Sequence, residues 1–287
     1  MALADYPPVP PLPFPPARTV TVPDRGEFFL RDSGGEDRPT VLLLHGWIAS
    51  ADLNWASPYQ SLTDAGYRVL AIDHRGHGRG LRPLVPFRLA DCAADAAAVL
   101  RTLELAPAIC VGYSMGGTIA QLMARDHPDV VSGMIVSGTA QHWQDPELKR
   151  AFRALGLAGA ALRISPRAFW SFGLKQVGLT TENPYLAWLR SELLRHNSDA
   201  ITEAGRELSR FDSRPWLRPQ PFPTATVLTT KDSVVPPRKQ RELAEALGSP
   251  IFEAEIDHLE VPNAPERYDQ ALLAALSSVR ATSAATR

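Results

Sequence analysis

Six apolar runs set the plan of this chain. "TVLLLHG" (40–46), "YRVLAIDHRG" (67–76), "AICVGYS" (108–114), "GMIVSGT" (133–139), "TATVLTTKD" (224–232) and "PIFEAEIDH" (250–258) each read as a strand. In the first four the apolar positions are continuous rather than alternating, the pattern of strands covered on both faces. Two shorter strands, "TVTV" and "EFFLRDSG", precede them and are joined by a turn at Asp24 to Gly26. Between the runs lie helical patterns at 88–105, 117–128, 236–248 and 263–280, the last with Asn263 placed as its N-cap. Strand and helix alternate, which predicts an α/β fold: a mostly parallel sheet with helices on both faces.

The alternation breaks once. From about Ala140 to Phe222 there is no strong strand pattern, and helical stretches run over 145–164, 165–178, 183–196 and 199–211. So long a helical insertion between two strands reads as a separate layer, most simply a helical cap over the carboxyl edge of the sheet. The expected division is a proline-rich extension over 1–18, a core from 19–139 and 223–287, and a cap over 140–222.

Composition adds little to this picture. The 287 residues, 45 % hydrophobic and 21 % charged, suffice for one large domain with an insertion. A net charge of −1 gives no reason to expect nucleic acid or an anionic membrane as partner. No run has the length of a membrane span. The stretch "MALADYPPVPPLPFPPART" lacks the basic start and apolar middle of a signal peptide and reads as a surface polyproline-type arm, so the cytoplasm is the expected location. Cys92 and Cys110 read as small buried hydrophobes, not as a disulfide framework.

The chemistry concentrates at "ICVGYSMGG". Gly112-Tyr113-Ser114-Met115-Gly116 matches G-x-S-x-G with an apolar strand before it and a helix after it. In that context the glycines relieve collisions at a sharp corner, and the serine sits at a helix N-terminus that favours developing negative charge. A serine hydroxyl needs a neighbouring base, itself oriented by an acid.

These motifs, with four others, resemble the α/β-hydrolase superfamily over nearly the whole chain from about residue 20. "LLLHGW" is similar to its oxyanion loop. "AIDHRGHGRG" is similar to its D-x-R-G-x-G-x-S loop, with Gly80 at the last position. "TTKDSVVPP" is similar to its acid-bearing loop, and "IDHLEVPNAPE" to its histidine loop, with Asp257 where glycine is commoner. The resemblance implies a serine, acid, histidine order, here Ser114, Asp232 and His258. Asp145 is the main substitute for the acid, while Asp257 reads as a loop residue and Asp73 as a loop brace. Among the other histidines, His45 and His77 read as structural, His127 as a helix cap and His74 as a loop residue; His142 and His196 fall in the cap. The resemblance also implies oxyanion donors at the amides of Trp47 and Met115. The Trp47 side chain reads equally as a pocket wall or as loop packing.

The cap is rich in aromatics: Trp143, Phe169, Trp170, Phe172, Trp188 and Trp216. They read either as packing or as an apolar pocket, with Trp47, Trp143, Phe169 and Trp170 the candidates for the pocket. No metal-binding spacing and no phosphate loop is present, so neither metal nor cofactor is expected. Serine at the elbow sets aside the epoxide hydrolases and haloalkane dehalogenases, which carry a carboxylate there. The expected activity is cofactor-free hydrolysis of a small or medium apolar carboxylic ester, or an acylglycerol. Carbon–carbon bond hydrolysis, lactonase, perhydrolase and acyltransferase chemistry use the same three residues, and a non-catalytic ligand-binding role belongs to a different class.

Overall fold

A computed structural model describes residues 14–146, 159–176, 184–261 and 264–285. Eight strands form one sheet in the order β1-β2-β4-β3-β5-β6-β7-β8. They are β1 (Ala17–Val22), β2 (Gly26–Asp32), β3 (Thr40–Leu44), β4 (Arg68–Ile72), β5 (Ala108–Tyr113), β6 (Val131–Ser137), β7 (Thr224–Thr229) and β8 (Ile251–Ala254). β1 pairs with β2, and β2 with β4, antiparallel; the other pairs are parallel.

Adjacent residues of the central strands feed opposite cores, which is why their apolar runs are continuous. Leu42 and Leu44 of β3 face one core, Val41 and Leu43 the other. Each fully buried side chain of this size contributes about 1.5–3 kcal/mol. The first core is closed by α3 (Leu89–Thr102) and α4 (Met115–Asp126), the second by the short helices α1 (Ala51–Trp55) and α2 (Pro58–Asp64). Neither α1 nor α2 was expected. At five and seven residues each is too short to show a helical period, although Ser50 caps the first and Pro58 starts the second.

Among the described residues the 140–222 stretch contributes α5 (Pro166–Gln176), α6 (Pro184–Leu194) and α7 (Ser198–Arg210), and residues 159–164 are also helical. Its two ends meet beside the sheet: Ser213 N donates to Gln141 O at 2.8 Å, and His142 bridges to Asp212. Apolar side chains of α5, α6 and α7 form a third cluster, against which Trp47, Ile48 and Ala49 of the turn after β3 pack. The expected helix over 145–164 lies partly outside the described residues, as does most of the proline-rich arm.

The chain ends with α8 (Pro237–Leu247) packed on the first core and α9 (Gln270–Ala285) on the second. The expected N-cap of the last helix, Asn263, lies outside the described residues. A π-helical turn over Pro265–Asp269 precedes α9. Both cysteines are free and buried. Among the described residues no helix is long and apolar enough to cross a membrane.

Candidate active site

β4 lies on one side of β3 and β5 on the other, so the loops leaving β3 and β5 diverge over a crevice at the carboxyl edge. Between β5 and α4 stands a single residue, Ser114, at φ 53° and ψ −116°. For a non-glycine residue that conformation stores about 1–3 kcal/mol of strain. Three hydrogen bonds hold it. The Ser114 amide donates to Ser137 O of β6 at 2.9 Å, and its carbonyl accepts from the amides of Gly117 (3.0 Å) and Thr118 (3.2 Å). The glycines are matters of space. A Cβ on Gly116 would stand 1.9 Å from Leu44 O, and one on Gly112 2.2 Å from Gly116 O. The start of α4 is therefore docked backbone to backbone against the end of β3.

His258 and Asp232 arrive from the loops after β8 and β7. His258 Nε2 lies 3.0 Å from Ser114 Oγ, and its Nδ1 2.8 Å from Asp232 Oδ2. A carboxylate only accepts, so Nδ1 carries the proton and Nε2 accepts from the serine hydroxyl. Asp232 is held from all sides. Oδ1 accepts from the amides of Val234 (2.9 Å) and Val235 (2.6 Å), and Oδ2 also accepts from Thr229 Oγ1 at 2.6 Å and Gln240 Nε2 at 3.3 Å. Tyr113 donates its phenol to His258 O at 2.7 Å. Burial pushes that phenol's pKa well above its ordinary value, with the Asp232 charge adding to the shift, so it stays a donor. Ser114 and His258 are each only 8 % exposed.

The turn after β3 closes on the serine. A Cβ on Gly46 would lie 3.3 Å from Ser114 Cβ. The Gly46 amide donates to Asn54 Oδ1 of α1 at 2.8 Å. His45 braces the same turn, with Nδ1 2.8 Å from Gly46 O and Nε2 accepting from the His74 amide at 2.9 Å.

A family model described as the alpha/beta hydrolase fold matches residues 39–265. The chain belongs to the α/β-hydrolase family. A non-heme chloroperoxidase from Streptomyces lividans is 31 % identical over 232 residues, which cover 76 % of this chain and 83 % of that protein. A bifunctional esterase/perhydrolase from Acinetobacter calcoaceticus is 35 % identical over 118 residues, 41 % of this chain and 42 % of its own. An esterase from Exiguobacterium antarcticum superposes with a TM-score of 0.77 at 22 % identity, covering 92 % of this chain and all of that one (100 %).

In this α/β hydrolase the rival residues are engaged elsewhere. Asp145 pairs with Lys239, whose ammonium also donates to His142 O at 2.7 Å. Asp73 accepts from the amides of Ala51 and Arg79, both at 2.7 Å, and braces its loop. Asp257 accepts from Ser233 N at 2.9 Å. His74 and His77 are buried beside His45, half-buried His196 packs its ring on His77, and His127 caps the end of α4. Among the described residues no group of His, Cys, Asp or Glu is arranged to hold a metal ion.

The expected oxyanion and pocket residues separate. Met115 is the first residue of α4, where helix amides lack intrahelical acceptors. Trp47 is half-buried in the turn, its indole N–H donating to Ile201 O at 2.9 Å. Trp143 is buried in the first core, its indole N–H 3.3 Å from Thr118 Oγ1 on the first turn of α4. Phe169 and Trp170 pack edge-to-face at 5.1 Å within the third cluster, on the same side as Trp47. Sequence reasoning passed over Asn54, Gln240 and the phenol of Tyr113. Each acts through a contact that no local spacing announces.

Proposed function

We propose that this α/β hydrolase is a serine esterase with Ser114 as nucleophile, His258 as base and Asp232 as the acid that orients it. The observation that carries this reading is His258 bridging a strained, nearly buried Ser114 at 3.0 Å and Asp232 at 2.8 Å. Ser114 Oγ attacks the ester carbonyl while its proton passes to His258 Nε2, and Asp232 stabilises the imidazolium that forms. The tetrahedral oxygen is held by the amides of Met115 and Trp47, each worth about 3 kcal/mol to the transition state. Collapse expels the alcohol, protonated by His258. Water activated by the same ring then releases the acid. The 140–222 segment acts as the cap, and Trp47, Phe169 and Trp170 supply an apolar wall for a small or medium acyl or aryl group.

The test is steady-state hydrolysis of p-nitrophenyl esters from acetate to long chains, with Ser114→Ala beside the wild type. Removing the nucleophile should lower kcat by about 10⁶-fold, as such removals do in serine hydrolases. Undiminished turnover in the variant would remove Ser114 from the role. The names of the chloroperoxidase and esterase/perhydrolase relatives favour a second reading, perhydrolysis. Hydrogen peroxide would then replace water in cleaving the acyl-enzyme, giving a peracid. Peracid formed from carboxylic acid and peroxide, and lost in Ser114→Ala, supports that reading.

A further inference from the structure

The turn beside Ser114 is held from the helical segment by a buried carboxylate. Glu192, on α6, is fully buried. Its Oε2 accepts from the Ser50 hydroxyl at 3.0 Å and from Arg79 Nη1 at 3.0 Å. Its Oε1 takes Arg79 Nη2 and, at 3.0 Å, Arg195 Nε. Arg79 comes from the loop after β4, with Nη1 3.5 Å from Asp52 Oδ2 and 3.7 Å from Asp73 Oδ2. Asp52 is clamped in turn by Arg31 of β2 at 2.9 and 2.6 Å. The charges facing Glu192 are thus satisfied by one another, and the Ser50 hydroxyl is the neutral group among them.

Ser50 closes the turn and caps α1: Leu53 N donates to its Oγ at 3.2 Å, while its own proton goes to Glu192. α1 carries Asn54, whose Oδ1 accepts the Gly46 amide, and Gly46 abuts Ser114. A second tie is independent of this one. The Trp47 indole donates to Ile201 O of α7 at 2.9 Å. Between the two ties Ile48 stands at φ 61°, a backbone state that persists only where its surroundings over-determine it.

We infer that Glu192 is a positioning residue for the 46–50 turn: through the Ser50 hydroxyl it fixes α1, and with it the Trp47 amide that the turn offers to the tetrahedral oxygen. The helical segment therefore sets the oxyanion geometry as well as covering the site. This rests on the reading of Ser114 as the acyl-forming nucleophile. A carboxylate serving only to balance Arg79 and Arg195 would affect stability and leave transition-state binding alone.

The experiment compares the full chain with Ser50→Ala, Glu192→Gln and the double variant. Ser50→Ala cuts the link and leaves the ion pairs in place. The readouts are kcat and KM for p-nitrophenyl acetate, the affinity of an aryl trifluoromethyl ketone (which forms an oxyanion on Ser114), and the unfolding midpoint. Ser50→Ala should lower kcat and ketone affinity together by about tenfold, with KM and the kcat–pH profile little changed, since His258 and Asp232 are untouched. The effect of Glu192→Gln on kcat should vanish in the Ser50→Ala background, the signature of two groups acting in series. Wild-type kcat and ketone affinity in Ser50→Ala, or additive losses in the double variant, overturn the inference. A wild type that binds the ketone without hydrolysing esters removes the esterase reading alone, and ketone affinity then decides on Glu192. A wild type that does neither overturns both.

Discussion

At the scale of single residues, the site is a set of atoms held in states they would not adopt alone. Ser114 occupies positive φ because backbone bonds from β6 and α4 leave no alternative. His258 is held at both ends, its ring by Asp232 and its carbonyl by Tyr113. Removing the hydroxyl in Tyr113→Phe leaves the buried His258 carbonyl without this donor, a loss of about 1–3 kcal/mol of stability. Under the proposed mechanism it should also lower kcat by about tenfold with KM little changed, because His258 moves relative to Ser114. Unfolding curves and steady-state kinetics check this, and unchanged values in both would contradict it. The three side chains that meet at the site were legible in the sequence. Ser114 sits in a strand–turn–helix motif, and Asp232 and His258 each follow an apolar run. Their supports were not, because the Tyr113–His258 bond spans 145 positions and the Asp232–Gln240 contact joins a loop to a helix face.

At the scale of elements, legibility follows length and burial. The four strands β3 to β6, covered on both faces, announce themselves as continuous apolar runs, and the other four were also legible as strands. Helices of three or more turns, such as α3 and α8, show their period; α1 and α2 do not, and α1 carries the Asn54 that holds Gly46. Elements are also joined by charge. Arg75, in the loop after β4, grips Asp95 of α3 through two bonds of 2.7 and 2.8 Å, and Arg25 reaches the same carboxylate at 2.9 Å. Asp95→Ala leaves the buried Arg75 with only the half-exposed Asp91. It should destabilise the protein by about 3–5 kcal/mol, as breaking a buried pair from one side does. Denaturant unfolding measures it, and a loss below about 1 kcal/mol would show that α3 does not depend on this pair.

At the scale of the whole molecule, a packed cluster of four histidines makes stability depend on pH. Burial drives His74 and His196 from 6.5 down to about 3, and lowers His45 and His77 well below that ordinary value. Neighbouring rings reinforce the shift for His45, His74 and His77. Each ring is neutral in the folded protein and takes up a proton on unfolding, so its contribution is complete above about 6.5 and is lost as pH falls toward 3. Asp73 opposes this between 3.8 and about 6, since burial raises its pKa and the folded state holds its proton more tightly, and burial raises Asp269 in the same direction. Four rings outweigh two carboxylates. The unfolding midpoint should fall steadily from pH 7 to pH 5, and a flat or rising midpoint would contradict the neutral cluster.

The proposed mechanism requires that Ser114 carry the acyl group. The measurement that reaches it most directly is acid quench during turnover of p-nitrophenyl butyrate, followed by mass spectrometry of the peptide bearing residue 114. A butyryl group on Ser114 in the wild type, absent from Ser114→Ala, is the expected result. Turnover with no acyl group on that peptide, or with the group on another residue, would contradict it.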